Sequence, residues 1–329
     1  GASPRGLELE GLPSRRSAIA VDGTVFGLRP SPRADRPDLE AFAFPLWGFD
    51  AAELDGLRAD GEWPSYGGGL LAGVPTGGPS AVQPRAYVMG GSEGYDAAAV
   101  IGAPLVRDTA ALVIGALASR RTPRLDAPWR ADSAALMVDS LARDSFATDL
   151  GGYLQRYRET SDLVNVFARF DWQVARGHTL AVWASAGDLK VENLAMGATQ
   201  PVGLGTSLHA REGQGTAVLT SRVSRRLAAD VRFGMQSADW NYRGPAVPGT
   251  AIVDAALAAG TPGTVPGRFK RTGVQGSATV YFRSGGNLFK GGLSGSLTTY
   301  DDELADGRAG DFSFGSGPLF GQGRGAFSQ

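Results

Sequence analysis

The chain has 329 residues, 32 Lys+Arg against 33 Asp+Glu for a net charge of -1, 48 glycines and no cysteine. That balance leaves no global field to draw nucleic acid, and the lack of cysteine excludes a disulfide scaffold and thiolate metal sites. Thr109 to Ser119 is the most apolar run, far short of the roughly 18 residues of a membrane helix.

The first 82 residues are rich in Gly, Pro and charge. Ser17 to Gly23 reads as a strand ending in a turn, and Leu39 to Phe44 as a second strand. Trp63 to Gly69 reads as a tight loop before a weak strand, Leu70 to Val74. From Pro84 onward the sequence alternates. Arg85–Met89, Ala97–Val106 and Ala110–Arg120 are predicted strands. The insertion from Thr122 to Gln155 carries helical spacing over Asp132 to Phe146, with Leu136, Val138 and Leu141 on one face. Thr160–Trp172, Thr179–Asp188, Gln214–Val223 and Leu227–Gln236 alternate again. A long Pro/Gly loop then leads into a hairpin within Gly267 to Tyr300. There Val274, Ala278, Val280 and Phe282 oppose Gln275, Ser277, Thr279, Tyr281 and Arg283, Ser284-Gly285-Gly286 turns, and Phe289, Leu293 and Leu297 resume the apolar face.

Two regularities define the class. Tight turns near Arg107, Gly177, Arg225 and Gly285 alternate with long loops at 121–157, 189–209 and 241–267, the asymmetry of a transmembrane barrel. Arg169, Arg232 and Arg283 all fall on the polar phase of their strands, where a barrel must turn them away from lipid at a saving of roughly 2–4 kcal/mol each. The expected fold is therefore mainly β, a transmembrane antiparallel β-barrel. About nine strands are legible. Bacterial barrels close with an even number, so the sequence reads as part of a larger barrel.

Several runs resemble TonB-dependent outer-membrane receptors of the Oar-like kind, which carry a carboxypeptidase-regulatory-like domain ahead of a plug. Val21-Asp22-Gly23 resembles the "VDG" strand end of that plug, and Asp38 to Phe42 its "I-x-E-F" strand. Tyr66-Gly67-Gly68-Gly69 through Thr76-Gly77-Gly78 resembles the stretch that closes the plug, with Ser65 where the family has Glu. Gly102 to Asp108 is similar to the "GGPIVKD" hairpin, and Leu288 to Gly292 to the end of a later one. The resemblance implies that residues 1–82 are most of a plug, N-terminally incomplete, and 83–329 the first strands of a barrel of about 22. It implies uptake of a bulky nutrient, with outer-membrane lipid, the TonB complex and an unidentified nutrient ligand as partners, in the outer membrane of a Gram-negative-type bacterium.

Arg169, Asp171, Asp230, Arg232 and Arg283 are the candidates for holding the plug from the lumen, by charge-assisted hydrogen bonds. Phe170, Trp172, Trp240 and Tyr242 are candidates for aromatic girdles at the membrane interfaces. Trp47, Trp63 and Tyr66 are candidates for facing a ligand from the plug. No catalytic set, cofactor loop or metal motif is expected. His178 and His209 lie far apart, Asp302 to Gly307 lacks the liganding residues of a calcium loop, and no GxSxG or GxxxxGK[ST] occurs. A non-transporting barrel or surface adhesion protein is the alternative, and so is a soluble β-rich protein. A plug-like N-terminal domain separates a receptor from a porin.

Overall fold

The computed structural model describes residues 17–22, 24–27, 49–55, 69–75, 78–125, 157–194, 206–243, 250–253, 257–260, 267–304, 311–314 and 326–328. Strands β1 (Ser17–Val21), β2 (Thr24–Gly27), β3 (Phe49–Asp55) and β4 (Gly69–Pro75) form a small N-terminal sheet in the order β2-β1-β4-β3, in which β1 and β4 run parallel. Next come β5 (Gln83–Gly91), β6 (Gly94–Val106), β7 (Ala110–Arg121), the short β8 (Arg124–Leu125) and β9 (Tyr157–Arg158), and then β10 (Thr160–Ala175) and β11 (His178–Leu194). The chain continues through β12 (Thr206–Arg222), β13 (Leu227–Arg243), the short β14 (Thr250–Val253) and β15 (Leu257–Gly260), β16 (Gly267–Ser284) and β17 (Asn287–Leu304). Two further short strands are β18 (Asp311–Phe314) and β19 (Ala326–Ser328).

Nine strands make one antiparallel sheet, in the order β17-β16-β13-β12-β11-β10-β7-β6-β5. Each pairs with the next long strand of the chain, and β5 and β17 form its two edges. The nine strands read from the sequence are these nine. The expected strand at Leu39–Phe44 and the helix at Asp132–Phe146 lie outside the described residues.

Strands β10 to β13, β16 and β17 run 16, 17, 17, 17, 18 and 18 residues. A tilted strand crosses hydrocarbon in about 9–11 residues, so each has several to spare. The sequence reading ended β11 at Asp188 and began β12 at Gln214, whereas the strands run on to Leu194 and start at Thr206. The reason is an inversion of polarity along each strand. Toward the short turns the outward phase is apolar: Trp172 and Val174 on β10, then Val231, Phe233 and Met235 on β13, are each about half exposed. Toward the long loops the outward phase turns charged, with Asp188, Lys190, Arg211 and Arg268, and the inward phase turns apolar. Leu189, Val191, Leu208, Ala210, Trp240 and Phe269 are buried there in one cluster. A reader following one apolar face loses the strand where the faces exchange.

Candidate functional site on the inner wall

The inner wall is read from register. Val113, Arg169, Trp183, Thr216, Gly234 and Gln275 lie directly across from one another on successive strands. One step toward the short turns lies a second row, which includes Asp171, Val218 and Arg232. The turn between β1 and β2 meets the wall at these two rows. Asp22 follows β1 with φ of 47°, a left-handed conformation that Asp adopts more readily than most residues. Its carboxylate accepts a hydrogen bond from Nη1 of Arg169 at 2.6 Å. Nε of Arg169 donates to both carboxylate oxygens of Asp171, at 3.0 and 2.9 Å. The same Asp171 accepts the backbone N–H of Gly78 at 3.0 Å.

A single Arg–Asp dyad on β10 thus holds two separate segments, the β1–β2 turn and the stretch leading into β5. Asp171 orients the guanidinium and leaves its far edge to Asp22, so pairing and positioning come from the same contacts. Burial pushes the Asp22 carboxyl up from its ordinary value, and the Arg169 guanidinium draws it back. Neutral contacts fix the seat further. The hydroxyls of Thr24 and Thr216 lie 2.8 Å apart in the buried contact. Gly234 admits the Thr24 methyl, which a Cβ there would meet at 2.5 Å. Gly78 lies so close to Ala111 that a side chain would collide with it.

Next to the dyad, Arg232 pairs with Asp230 on its own strand at 3.3 Å. Asp22, Ser80, Asp171, Thr179 and Arg232 line a cleft of about 710 Å³ that reaches the β6–β7 turn at Asp108 and Thr109. Toward the long loops the wall carries buried polar groups, Asn165, Glu212 and Gln214. Nε2 of Gln214 donates to Ser185 at 2.9 Å. Beyond them stands the apolar cluster, where Tyr242 meets Phe269 edge-on with ring centroids 5.8 Å apart.

No protein-family model matches the sequence, and no curated protein matches it. Solved structures do. The copper transporter OprC superposes with a TM-score of 0.60 at 12% identity, over 88% of this chain and 39% of its own. The pyoverdine outer-membrane receptor FpvA of Pseudomonas aeruginosa PAO1 gives 0.59 at 11% identity, over 91% of this chain and 40% of its own. The outer-membrane transporter YddB of Escherichia coli gives 0.58 at 8%, over 93% and 43%. The fold is that of the β-barrel wall of these outer-membrane proteins. The chain spans about two fifths of the length of the structures it matches.

Within this fold the predicted residues separate. Arg169, Asp171, Asp230 and Arg232 come together on the inner wall. Arg283 shares the inward phase of β16 but stands exposed at the rim, where its backbone N–H donates to Arg226 O at 2.8 Å. Phe170 and Trp172 lie on the outward phase of β10 with centroids 6.4 Å apart. Trp240 and Tyr242 are a correction to the girdle expectation, because both are buried on the inward face of β13. Their numbers share the parity of Arg232, which dictates that placement. Trp47, Trp63 and Tyr66 lie outside the described residues. The sequence reading did not single out Asp22, Thr24, Gly78, Thr216 or Gly234 as site residues. Asp22 and Gly78 carried a signal, the one as the middle of the Val21-Asp22-Gly23 strand end and the other as the end of the Thr76-Gly77-Gly78 run.

Proposed function

We propose that this chain is the plug and adjoining wall of an outer-membrane receptor that takes up a bulky nutrient with TonB-derived energy. The N-terminal sheet is the plug, residues 83–329 belong to the barrel, and the Oar-like kind is the subtype the sequence supports. One observation carries the reading: Asp22 sits on Arg169, on the polar face of a wall whose other face is apolar and exposed. A wall of that polarity suits lipid outside and water inside, and the N-terminal turn is bound on the wet side. The similar structures include a copper transporter and a pyoverdine receptor, so metal ions and metal chelates are the first nutrient class to test.

The test is protease protection of residues 17–75 in outer-membrane vesicles. Wild-type protein is expected to shield this segment, and Arg169→Ala to expose it while the barrel strands stay resistant. Equal protection in the variant would remove the plug assignment. Energy coupling is tested separately, by copper and ferric-chelate accumulation in cells with and without the TonB complex.

A further inference from the structure

The two ends of the nine-stranded sheet treat charge differently. At the long-loop end four arginines of the wall are paired: Arg120 with Asp162 at 3.4 Å, Arg211 with Asp188 at 3.0 Å, Arg268 with Asp239 at 2.6 Å, and Arg121 with Asp96. At the short-turn end Arg107, Arg176, Arg222, Arg225, Arg226 and Arg283 are all exposed. The one carboxylate in those turns, Asp108, stands 3.7 Å from Arg107. Among the described residues the other five have no ion-pair partner.

Backbone hydrogen bonds lace the turns into one continuous rim. Gln173 N–H donates to Thr109 O at 2.7 Å, Arg222 N–H to Gly177 O at 2.7 Å, and Arg283 N–H to Arg226 O at 2.8 Å. The tight turn at Gly177 needs its φ of 82°, which an L side chain rarely adopts. The β6–β7, β10–β11 and β12–β13 turns also place an exposed apolar side chain within two residues of Arg107, Arg176 and Arg225. These are Val106, Val174 and Val223, between 45% and 62% exposed, and they stand beside the apolar outer face.

We infer that this rim binds the phosphates of anionic phospholipid headgroups. Guanidiniums crowded without carboxylates call for external anions, and a planar guanidinium matches phosphate with two parallel hydrogen bonds. The apolar flanks fix the source of those phosphates, because they set the turn arginines Arg107, Arg176, Arg225 and Arg226 at the margin of the face that meets acyl chains, where headgroups lie. An arginine there buries its stem and lifts its charge to the interface. The inference rests on the membrane reading above, with the short turns on the periplasmic side. Each such cation strengthens attachment to an anionic surface by about fivefold at low salt.

The experiment is co-flotation of the full chain with phosphatidylcholine vesicles, with and without phosphatidylglycerol, at low and high salt. Wild type is expected to float with both and to attach to the phosphatidylglycerol vesicles at least about tenfold more tightly at low salt, with the preference lost at high salt. The variant carrying Arg176→Gln, Arg225→Gln and Arg226→Gln should still float with neutral vesicles and lose the preference. The matching Arg→Lys variant should keep most of it. Equal attachment of wild type to both vesicles, or a preference that survives the Gln variant, overturns the lipid rim and leaves the receptor reading standing. Attachment to neither vesicle overturns both.

Discussion

Arg169 is 9% exposed and has two carboxylate partners, Asp22 and Asp171. Arg169→Ala strands both carboxylates in a largely buried site and is expected to cost roughly 3–5 kcal/mol. Adding Asp22→Asn to that variant should recover part of the loss, since one stranded carboxylate then becomes a neutral amide able to keep the left-handed turn. Denaturant unfolding of the full chain in detergent tests this, and a double variant as unstable as the sum of the singles would show that the contact is not charge pairing. The seat is also tight. Gly234→Val would drive a side chain into the Thr24 methyl and the Gln275 side chain, costing roughly 1–3 kcal/mol by overpacking. Thr24→Ala in the same chain should relieve a measurable share of that cost, and no relief would place the clash elsewhere on the wall.

The long strands explain what was legible in the sequence and what was not. From Val164 to Trp172 and from Leu227 to Gln236 one face is apolar throughout, so a period of two identifies strand, face and hairpin partner together. Above Glu212 and Ala238 the apolar residues change sides, and Leu208, Ala210, Trp240 and Tyr242 turn inward while His209, Arg211, Asp239 and Asn241 turn outward. The two phases cancel in any window spanning the exchange, and the strands read too short. The dyad was legible by half. Arg169 and Asp171 share a face by parity, but their partners Asp22 and Gly78 are separated from them by 147 and 93 residues, a distance that periodicity never bridges. The exchange of faces also marks where lipid ends. Phe233→Arg, on the outward phase below it, should destabilise the protein in lipid vesicles by roughly 2–4 kcal/mol, whereas Asn241→Arg above it should lie near zero. Equal costs at the two positions, measured by denaturant titration in the same vesicles, would move the lipid boundary or abolish it.

At the scale of the whole molecule the outer edges of β5 and β17 pair with no strand among the described residues. Both lie at the margins of a wall whose outward face is apolar. Unpaired backbone N–H and C=O groups in hydrocarbon cost several kcal/mol apiece, so in a membrane these edges must bond to further strands. Those strands come either from the same polypeptide or from other copies of the chain. The receptor structures with this fold are matched over 39–43% of their length, and a plugged transporter of that architecture closes with about 22 strands. The expectation is that the native protein, recovered from an outer-membrane fraction, weighs roughly two- to threefold more than the 34.2 kDa of this chain. Its intact mass measures this directly. A membrane-bound species of 34.2 kDa would mean that the edges pair between copies. The lumen would then be shared among chains, and a single N-terminal sheet seated on one Arg169–Asp171 dyad could no longer act as its plug.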